Sequence, residues 1–306
     1  MQTRKKNYSN TAQFLWTDTP AALEKLAAGK RKWPLPWREK WHTEPEILRY
    51  FIAEGYAILE SAVASADIEK FGAELDGALS DPAAKLSMTY WDNQGQHHYD
   101  VARRDKLGNR EAKVLDVHVR LPSSQKLIFA PRLLDFLTDV FQEEPVAFQT
   151  LYFENGSQQG AHQDTAFVYT DPPYHFVASW IALEDVAPQT GELFYYPGSH
   201  RMDDLLFADG TKALRPGDPD GPRYSTILEQ LASEYGLQRA RFLPKRTDVL
   251  FWSSDLIHGG EPTTRQATRR SLVTHYCPRS ASVPYARATG AKAKRLDCGG
   301  WVIAQF

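Results

Sequence analysis

Hydrophobic positions in the first half of the chain recur every three or four residues, which is the period of a helix with one buried face. The clearest stripe follows Ser65 and consists of Ile68, Phe71, Leu75 and Leu79. The same spacing predicts further helices in four places: residues 19–26, from residue 46, from residue 131, and residues 224–235.

Strands dominate from residue 146 onward, where short apolar runs alternate with turn-forming clusters of Pro, Gly, Asp and Thr. Earlier strands are predicted at residues 55–59 and 117–121, and a later one at residues 248–252. A mostly β fold with flanking helices accommodates this order of elements. Its expected core is a double-stranded β-helix of the jelly-roll or cupin type.

The composition fits one large globular domain that follows an N-terminal extension. A chain of 306 residues with 42% hydrophobic and 12% aromatic residues can bury a sizeable core. We predict an extension over residues 1–44 and a single domain over residues 45–306, with an insertion at about 201–247. In the extension, Thr19 is the expected cap of the short helix, and the segment from Lys30 to Arg38 either wraps the barrel or contacts a partner.

Charge and cysteine content exclude several classes of function. Basic and acidic residues number 36 and 38, so no overall field attracts nucleic acid or an anionic membrane. No run approaches the roughly 18 apolar residues of a membrane span, and no secretory signal is recognisable. Two cysteines, Cys277 and Cys298, make a poor disulfide framework. The expectation is a soluble, cytoplasmic protein, and the sequence leaves the oligomeric state open.

The strongest chemical signal is His162-Gln163-Asp164 together with His258. Alternate residues of an extended segment share a face, so His162 and Asp164 can approach one ion while Gln163 points away. The predicted strand at residues 248–252 and the turn after it would bring His258 to the same place. Two imidazoles and one carboxylate on one face of Fe(II) leave positions open for a cosubstrate and O2.

The blocks around these residues resemble the phytanoyl-CoA dioxygenase-like branch of the Fe(II)/2-oxoglutarate oxygenases. The resemblance extends over about residues 47 to 276 and rests on segments in the family's order: 161–164, 180–185, 191–193, 197–200, 258–260 and 269–271. It implies Fe(II) held by His162, Asp164 and His258, with 2-oxoglutarate and O2 as cosubstrates. The implied reaction is hydroxylation of a small molecule with release of succinate and CO2.

The resemblance also assigns residues around the cosubstrate. Arg269 is the implied anchor of the far carboxylate, since the arginine fork matches a carboxylate and lysine does not. Arg270 would face the other way. Gln149 and Tyr152, on a predicted aromatic-rich strand, and Trp180 are the expected neighbours of 2-oxoglutarate or substrate.

Two departures from the family pattern leave other cosubstrate contacts open: Gly260 stands where many members have Ser, and Glu154 where Lys is common. The carboxylate of Asp164 argues against halogenation, because relatives that halogenate have a small residue there. The turn that contains His200 is implied to be structural. The tip of the insertion, residues 215–222, is either a lid over the site or a surface loop.

The substrate is expected to be a polar or anionic small molecule, from a mixture of aromatic and cationic candidates. These are Tyr90, Trp91, His97, His98, Tyr99, Arg103, Arg104, His118, Arg120 and Tyr174. For His118, an ordinary strand histidine is the commoner interpretation. Two other functions stay open: a metal-dependent hydrolase, with two His and one carboxylate on zinc, and a non-catalytic cupin-like binding protein.

Overall fold

The structure, a computed structural model, describes residues 1–28, 43–283, 294–297 and 302–305. The predicted arm from Lys30 to Arg38 and the second cysteine, Cys298, lie outside the described residues. The α-helices are α1 (Ala22–Ala27), α2 (Pro45–Glu54), α3 (Ser65–Ser80), α4 (Val117–Arg120), α5 (Pro122–Ile128), α6 (Pro131–Phe141) and α7 (Tyr224–Glu234). None of these helices combines the length and apolarity that a membrane crossing requires.

The strands fall into three sheets. They are β1 (Gln2–Arg4), β2 (Tyr56–Leu59), β3 (Ser87–Trp91), β4 (His97–Val101), β5 (Arg110–Leu115), β6 (Pro145–Phe153), β7 (Val177–Ala182), β8 (Leu193–Tyr195), β9 (Asp204–Leu206), β10 (Ala240–Phe242), β11 (Val249–Ser253), β12 (His258–Gly260), β13 (Ser271–Pro278), β14 (Lys294–Asp297) and β15 (Val302–Gln305).

The large sheet has the order β2-β11-β7-β13-β6-β5-β3-β4, with β15 added parallel to β6 and β14 antiparallel to β15. A small sheet has the order β10-β8-β12, and β1 pairs with β9. Apolar side chains from the large and small sheets, including Trp180, Trp252 and Leu193, form one buried cluster. This two-sheet arrangement is the predicted jelly-roll core.

The flanking helices cover the other face of the large sheet. In α3 the predicted stripe of Ile68, Phe71, Leu75 and Leu79 is buried. These side chains share a core with the helix α6 and with sheet residues such as Phe251. Helix α2 begins with Pro45 at its first turn and ends at Gly55, whose φ of 78° is readily adopted by glycine. The predicted helices after residues 46, 65, 131 and 224 are confirmed.

The strand predicted at residues 117–121 is wrong. Asp116 has a left-handed backbone with φ 51°, which ends β5, and α4 begins at Val117. His118 is fully buried on this helix and contacts the Thr150 hydroxyl at 3.0 Å through Nδ1. It therefore faces the core and not a substrate, because a helical turn replaced the expected alternation.

Residues 1–28 pack against the rest of the fold. Leu15 and Leu26 join the main core, and β1 pairs with β9. Helix α1 begins at Ala22, whereas the prediction placed its start at residue 19. The Thr19 hydroxyl does not cap this helix but donates to the Trp16 carbonyl at 2.8 Å. The division into an extension and a domain stays a prediction.

Candidate metal centre

The three predicted ligands lie together at the open end of the two sheets. A pair of backbone hydrogen bonds of 2.8 and 2.9 Å joins His162 to His258, the first residue of β12. Between the ligands, Gln163 has an extended backbone (φ −108°, ψ 137°), so its side chain points away and donates to the Asp255 carbonyl at 2.7 Å. The expected alternation therefore brings His162 and Asp164 to one side.

The donor atoms of the three side chains face one another. Asp164 Oδ1 lies 3.8 Å from His162 Nε2 and 3.6 Å from His258 Nε2. Both Nδ1 atoms contact backbone carbonyls, Gly160 at 2.9 Å and Leu256 at 3.0 Å. A carbonyl only accepts, so each Nδ1 carries the hydrogen and each Nε2 offers its lone pair to the centre. This group of three can hold a metal ion.

The second oxygen of Asp164 is held from behind. Oδ2 accepts from Trp252 Nε1 at 2.8 Å and contacts His275 Nε2 at 3.2 Å. Burial on its own would raise the pKa of Asp164, but His258 and His275 hold that pKa well below the usual aspartate range. Burial lowers the pKa of His162 to about 3. A carboxylate beside a neutral imidazole is the protonation state that divalent metals require.

A cavity of about 930 Å³ opens over the ligands. Trp180 and Gln149 line it together with Leu151 and Phe153, and their contact with 2-oxoglutarate or substrate stays a prediction. The prediction for Tyr152 is wrong. On β6 this residue points to the opposite face, where it packs edge-on against Phe71 in the main core, because alternate residues of a strand face opposite sides.

Arg269 and Arg270 face opposite sides as expected. Arg269 is only 2% exposed, and its Nη1 donates to the Gly191 carbonyl at 2.9 Å. Its Nε is buried and has no hydrogen-bond partner among the described residues. Burial lowers the pKa of Arg269 to about 10, so the guanidinium remains charged at neutral pH. Arg270 is half-exposed and pairs with Glu154 at 2.9 Å.

Lys113 is a cavity residue that the sequence did not single out. It lies on β5, lines the cavity, and makes no hydrogen bond or ion pair within the described part of the chain. Burial lowers the pKa of its ammonium, while the charges of Glu111 and Asp164 oppose that shift. The cavity thus holds two cations, Lys113 and Arg269, that form no salt bridge with a carboxylate of the described residues.

The tip of the insertion closes one side of the cavity. Leu214, Arg215 and Pro222 are among its lining residues, and the Leu214 amide donates to the Ala166 carbonyl at 3.0 Å. Of the predicted substrate residues, Trp91 and His97 line the cavity. The others do not; they are Tyr90, His98, Tyr99, Arg103, Arg104, His118, Arg120 and Tyr174. Exposed strand faces and buried packing positions are indistinguishable from pocket positions in the sequence.

A buried group of charged and polar side chains includes Thr165, the residue that follows Asp164. We call it the Asp255 cluster; its members are Asp255, Lys6, Lys212, Asp204 and Thr165. Lys6 Nζ and Lys212 Nζ each lie 2.7 Å from an Asp255 oxygen, and the Thr165 hydroxyl donates to Asp255 at 2.6 Å. Lys212 also lies 3.2 Å from Asp204. The cluster connects the insertion and the N-terminal segment to the residue that follows Asp164.

His200, in the Pro-Gly-Ser-His turn, is buried and contacts the Ile52 carbonyl at 3.3 Å through Nε2, at a distance from the ligand group. Trp252 and His275, by contrast, are site residues that sequence reasoning missed. Both belong to fully buried strands, β11 and β13, whose composition is that of plain core. Knowledge of the strand pairing would have identified them, since both lie opposite Ala178 on β7 and therefore on the same face of the sheet.

Comparisons with known proteins agree with this architecture. Phytanoyl-CoA dioxygenase domain-containing protein 1 of Rattus norvegicus is 24% identical over 174 residues, which cover 55% of this chain and 57% of the rat protein. The chain therefore spans little more than half the length of that relative. The non-heme alpha ketoglutarate dependent carbocyclase SnoK from nogalamycin biosynthesis superimposes with a TM-score of 0.62 at 15% identity, covering 84% of this chain and 94% of SnoK.

A second solved structure, EctD from S. alaskensis with 2-oxoglutarate and 5-hydroxyectoine, gives a TM-score of 0.57 at 18% identity and covers 83% of this chain and 82% of EctD. These likenesses confirm the predicted fold. The sequence pattern of the Phytanoyl-CoA dioxygenase (PhyH) family matches residues 51–271. This range includes Arg269 and the group of three residues that can hold a metal ion. The chain accordingly belongs to the phytanoyl-CoA dioxygenase (PhyH) family, as its motifs predicted.

Proposed function

We propose that this protein is a non-haem Fe(II)- and 2-oxoglutarate-dependent dioxygenase that hydroxylates a small molecule. One observation carries the proposal: the same cavity contains the ligand group and a buried arginine with an unpartnered N–H. Family membership supports it. So do the solved neighbours, since SnoK is described as alpha ketoglutarate dependent and EctD was crystallised with 2-oxoglutarate.

The donor set fits Fe(II). His162 and His258 present lone pairs, and Asp164 presents one oxygen of a carboxylate that stays ionised. Three protein ligands on one side of an ion leave the remaining positions open. Zinc accepts the same donors, but a hydrolytic zinc site has no evident use for two cations that form no salt bridge in its cavity. The hydrolase is therefore the weaker candidate.

The two cations fit a dicarboxylate. Arg269 offers Nε from a buried position beside the Trp180 ring, whose centroid is 5.1 Å from the guanidinium carbon. A carboxylate is the group that an arginine fork in an apolar pocket binds best. Lys113, whose charge interacts with that of Asp164, is available to the end of the molecule nearer the metal. Glu154 is not free to interfere, because it pairs with Arg270.

When bound, Fe(II) with 2-oxoglutarate and O2 supplies the oxidising power for hydroxylation. One oxygen atom of O2 enters succinate, formed with CO2 from 2-oxoglutarate, and the other enters the hydroxylated product. The protein residues orient the reactants and exclude water. Trp180 and Leu193 form apolar walls, and insertion residues such as Pro216 and Pro222 line another side of the cavity, so a bound substrate would be shielded from solvent there.

Substrate binding is proposed to use the outer part of the cavity, where Trp91, His97 and Arg215 are exposed to a bound molecule. A volume of about 930 Å³ accommodates a molecule well beyond the size of 2-oxoglutarate. Hydroxylation is proposed because Asp164 fills the position that halogenating relatives leave free. The carbocyclase SnoK illustrates that the same fold serves other oxidative outcomes.

The proposal can be tested without knowing the substrate. Anaerobic addition of Fe(II) and then 2-oxoglutarate should produce the weak visible charge-transfer band of an Fe(II)–keto acid chelate. On admission of O2, slow succinate formation should follow, and a metabolite screen that monitors succinate then identifies the substrate. A protein that binds Fe(II) but shows neither the band nor 2-oxoglutarate binding would overturn the proposal, whereas Zn(II)-dependent ester or amide hydrolysis would favour the hydrolase.

A further inference from the structure

The two oxygens of Asp164 have separate environments. Oδ1 faces the Nε2 atoms of His162 and His258, while Oδ2 is directed at the large sheet. There it meets Trp252 Nε1 at 2.8 Å and His275 Nε2 at 3.2 Å. Two side chains of the large sheet therefore hold the second oxygen of this carboxylate.

The strand register fixes both donors. Trp252 on β11 and His275 on β13 each lie opposite Ala178 on β7, so all three residues point to the same face of three adjacent strands. The small side chain of Ala178 separates the two larger ones. Because the donors come from paired strands and not from loops, their spacing is set by the sheet itself.

Packing alone does not account for His275. Its ring is 2% exposed and lies between Phe148 and Phe176, with both ring centroids 5.9 Å away. An ionised carboxylate only accepts hydrogen bonds, so Nε2 carries the hydrogen that points to Oδ2. Nδ1 is buried and has no hydrogen-bond partner among the described residues. A buried polar atom without a partner destabilises the fold, and an apolar side chain would avoid that cost.

We propose that His275 is a positioning residue for the metal centre: together with Trp252, it retains Oδ2 so that Asp164 presents a single oxygen to the metal. A carboxylate free at both oxygens can chelate a metal and take one of the positions that a keto acid needs. The inference rests on the proposed metal site and adds a residue that neither the motif nor the ligand set contains. His275 acts only through Asp164.

Metal affinity tests the proposal directly. Co(II) is a suitable probe because it resists oxidation in air and its visible spectrum reports coordination. In His275→Leu, Co(II) binding should weaken by about 10- to 100-fold, the usual effect of removing an outer partner of a metal ligand. In His275→Gln, the amide N–H can replace the Nε2–H, so most of the affinity should return. Trp252→Phe, which removes the other donor, should weaken binding like His275→Leu.

Tyr276→Phe is the matched control. Tyr276 is the next residue on the same strand, equally buried, and its hydroxyl donates to the Ile128 carbonyl at 2.8 Å, away from the site. It should leave the Co(II) affinity and spectrum unchanged while lowering the melting temperature slightly. Thermal melts of all variants separate loss of folding from loss of metal binding.

The outcomes are distinguishable. Equal Co(II) affinity in the parent protein and His275→Leu would reduce His275 to packing and overturn the inference. So would equal losses in His275→Leu and His275→Gln, because the hydrogen bond would then not matter. If the parent itself bound no Co(II), the proposed metal centre would fail and the inference with it. If His275→Leu does not fold, the other two variants take its place. Co(II) affinity close to that of the parent in His275→Gln, with weakened affinity in Trp252→Phe, would support the inference, and unchanged affinity in both would overturn it.

Discussion

Replacing Arg269 should separate cosubstrate binding from metal binding. Arg269 is buried at 2% exposure and keeps an unpartnered Nε, whereas its neighbour Arg270 is half-exposed and satisfied by Glu154. Arg269→Gln should therefore raise the dissociation constant for 2-oxoglutarate strongly, and Arg270→Gln should change it little. Both variants should bind Co(II) as the parent does, since neither residue belongs to the group of three that can hold a metal ion.

The magnitude follows from the burial of the contact. Truncating one partner of a buried, hydrogen-bonded charge pair costs on the order of 2–5 kcal/mol. At about 1.4 kcal/mol per tenfold change, that is a loss of roughly 30-fold to a few thousandfold in affinity. Arg269→Lys keeps the charge but loses the planar fork, so its effect should lie below this range. Exposed pairs such as Arg270 with Glu154 contribute at most about 1 kcal/mol.

The assay is an anaerobic titration of the Fe(II)-loaded protein with 2-oxoglutarate, followed by the charge-transfer band. It needs no prime substrate. Glu192 is buried beside Arg269 and loses a compensating charge in Arg269→Gln, so a thermal melt must accompany each titration, and Arg269→Lys guards against simple unfolding. The reasoning is refuted if Arg270→Gln weakens binding more than Arg269→Gln, or if a folded Arg269→Gln binds 2-oxoglutarate as the parent does.

Three further predictions concern the centre and its surroundings. His162→Ala should abolish succinate formation and Co(II) binding while the protein still melts cooperatively; normal turnover would remove it from the ligand set. Lys212→Met should speed amide exchange across residues 207–218 by roughly tenfold or more, because a buried charge-assisted contact of about 1.5–3 kcal/mol is lost, whereas Lys245→Met, at an exposed pair, should not. Burial raises the pKa of Asp18 from 3.8 to about 7, so the folded state keeps a proton that the unfolded chain releases, and stability should fall from pH 4 to pH 7 and then level off. Asp18→Asn should flatten that fall in urea unfolding; an unchanged difference between pH 5 and pH 8 would contradict it.

The grouping of the three candidate ligands and the fold class were predictable because each leaves a local trace in the sequence. His162 and Asp164 share a side through simple alternation, and the helix α3 shows its buried stripe directly. The error at Tyr152 has the same origin: Gln149 and Tyr152 are three residues apart on one strand, so they cannot both face the cavity.

Other site residues are invisible without the tertiary pairing. Trp252 and His275 meet only because β11 and β13 flank β7 in a particular register. Lys113 reaches the cavity because β5 lies beside β6, with Leu115 opposite Leu151. The strand predicted at residues 117–121 is wrong because Asp116 has a left-handed backbone. The neighbouring residues in the sequence give no sign of that conformation. The periodicity of hydrophobic residues along the sequence does not reveal which residues of distant strands pair. Nor does it reveal a single residue with a left-handed backbone.

The contacts of the first 28 residues limit how this domain can be trimmed or recombined. The family description begins at residue 51, yet Lys6 supplies one of the two ammonium groups on Asp255, and β1 hydrogen-bonds to β9. A shortened version that starts at the family boundary would leave Asp255 with Lys212 alone, and it would remove Leu48 together with Leu15 and Leu26, which share a core with Ile52. Chimeras with relatives should therefore exchange the N-terminal segment together with the insertion, since the two meet at Asp255, three positions before the proposed metal ligand His258.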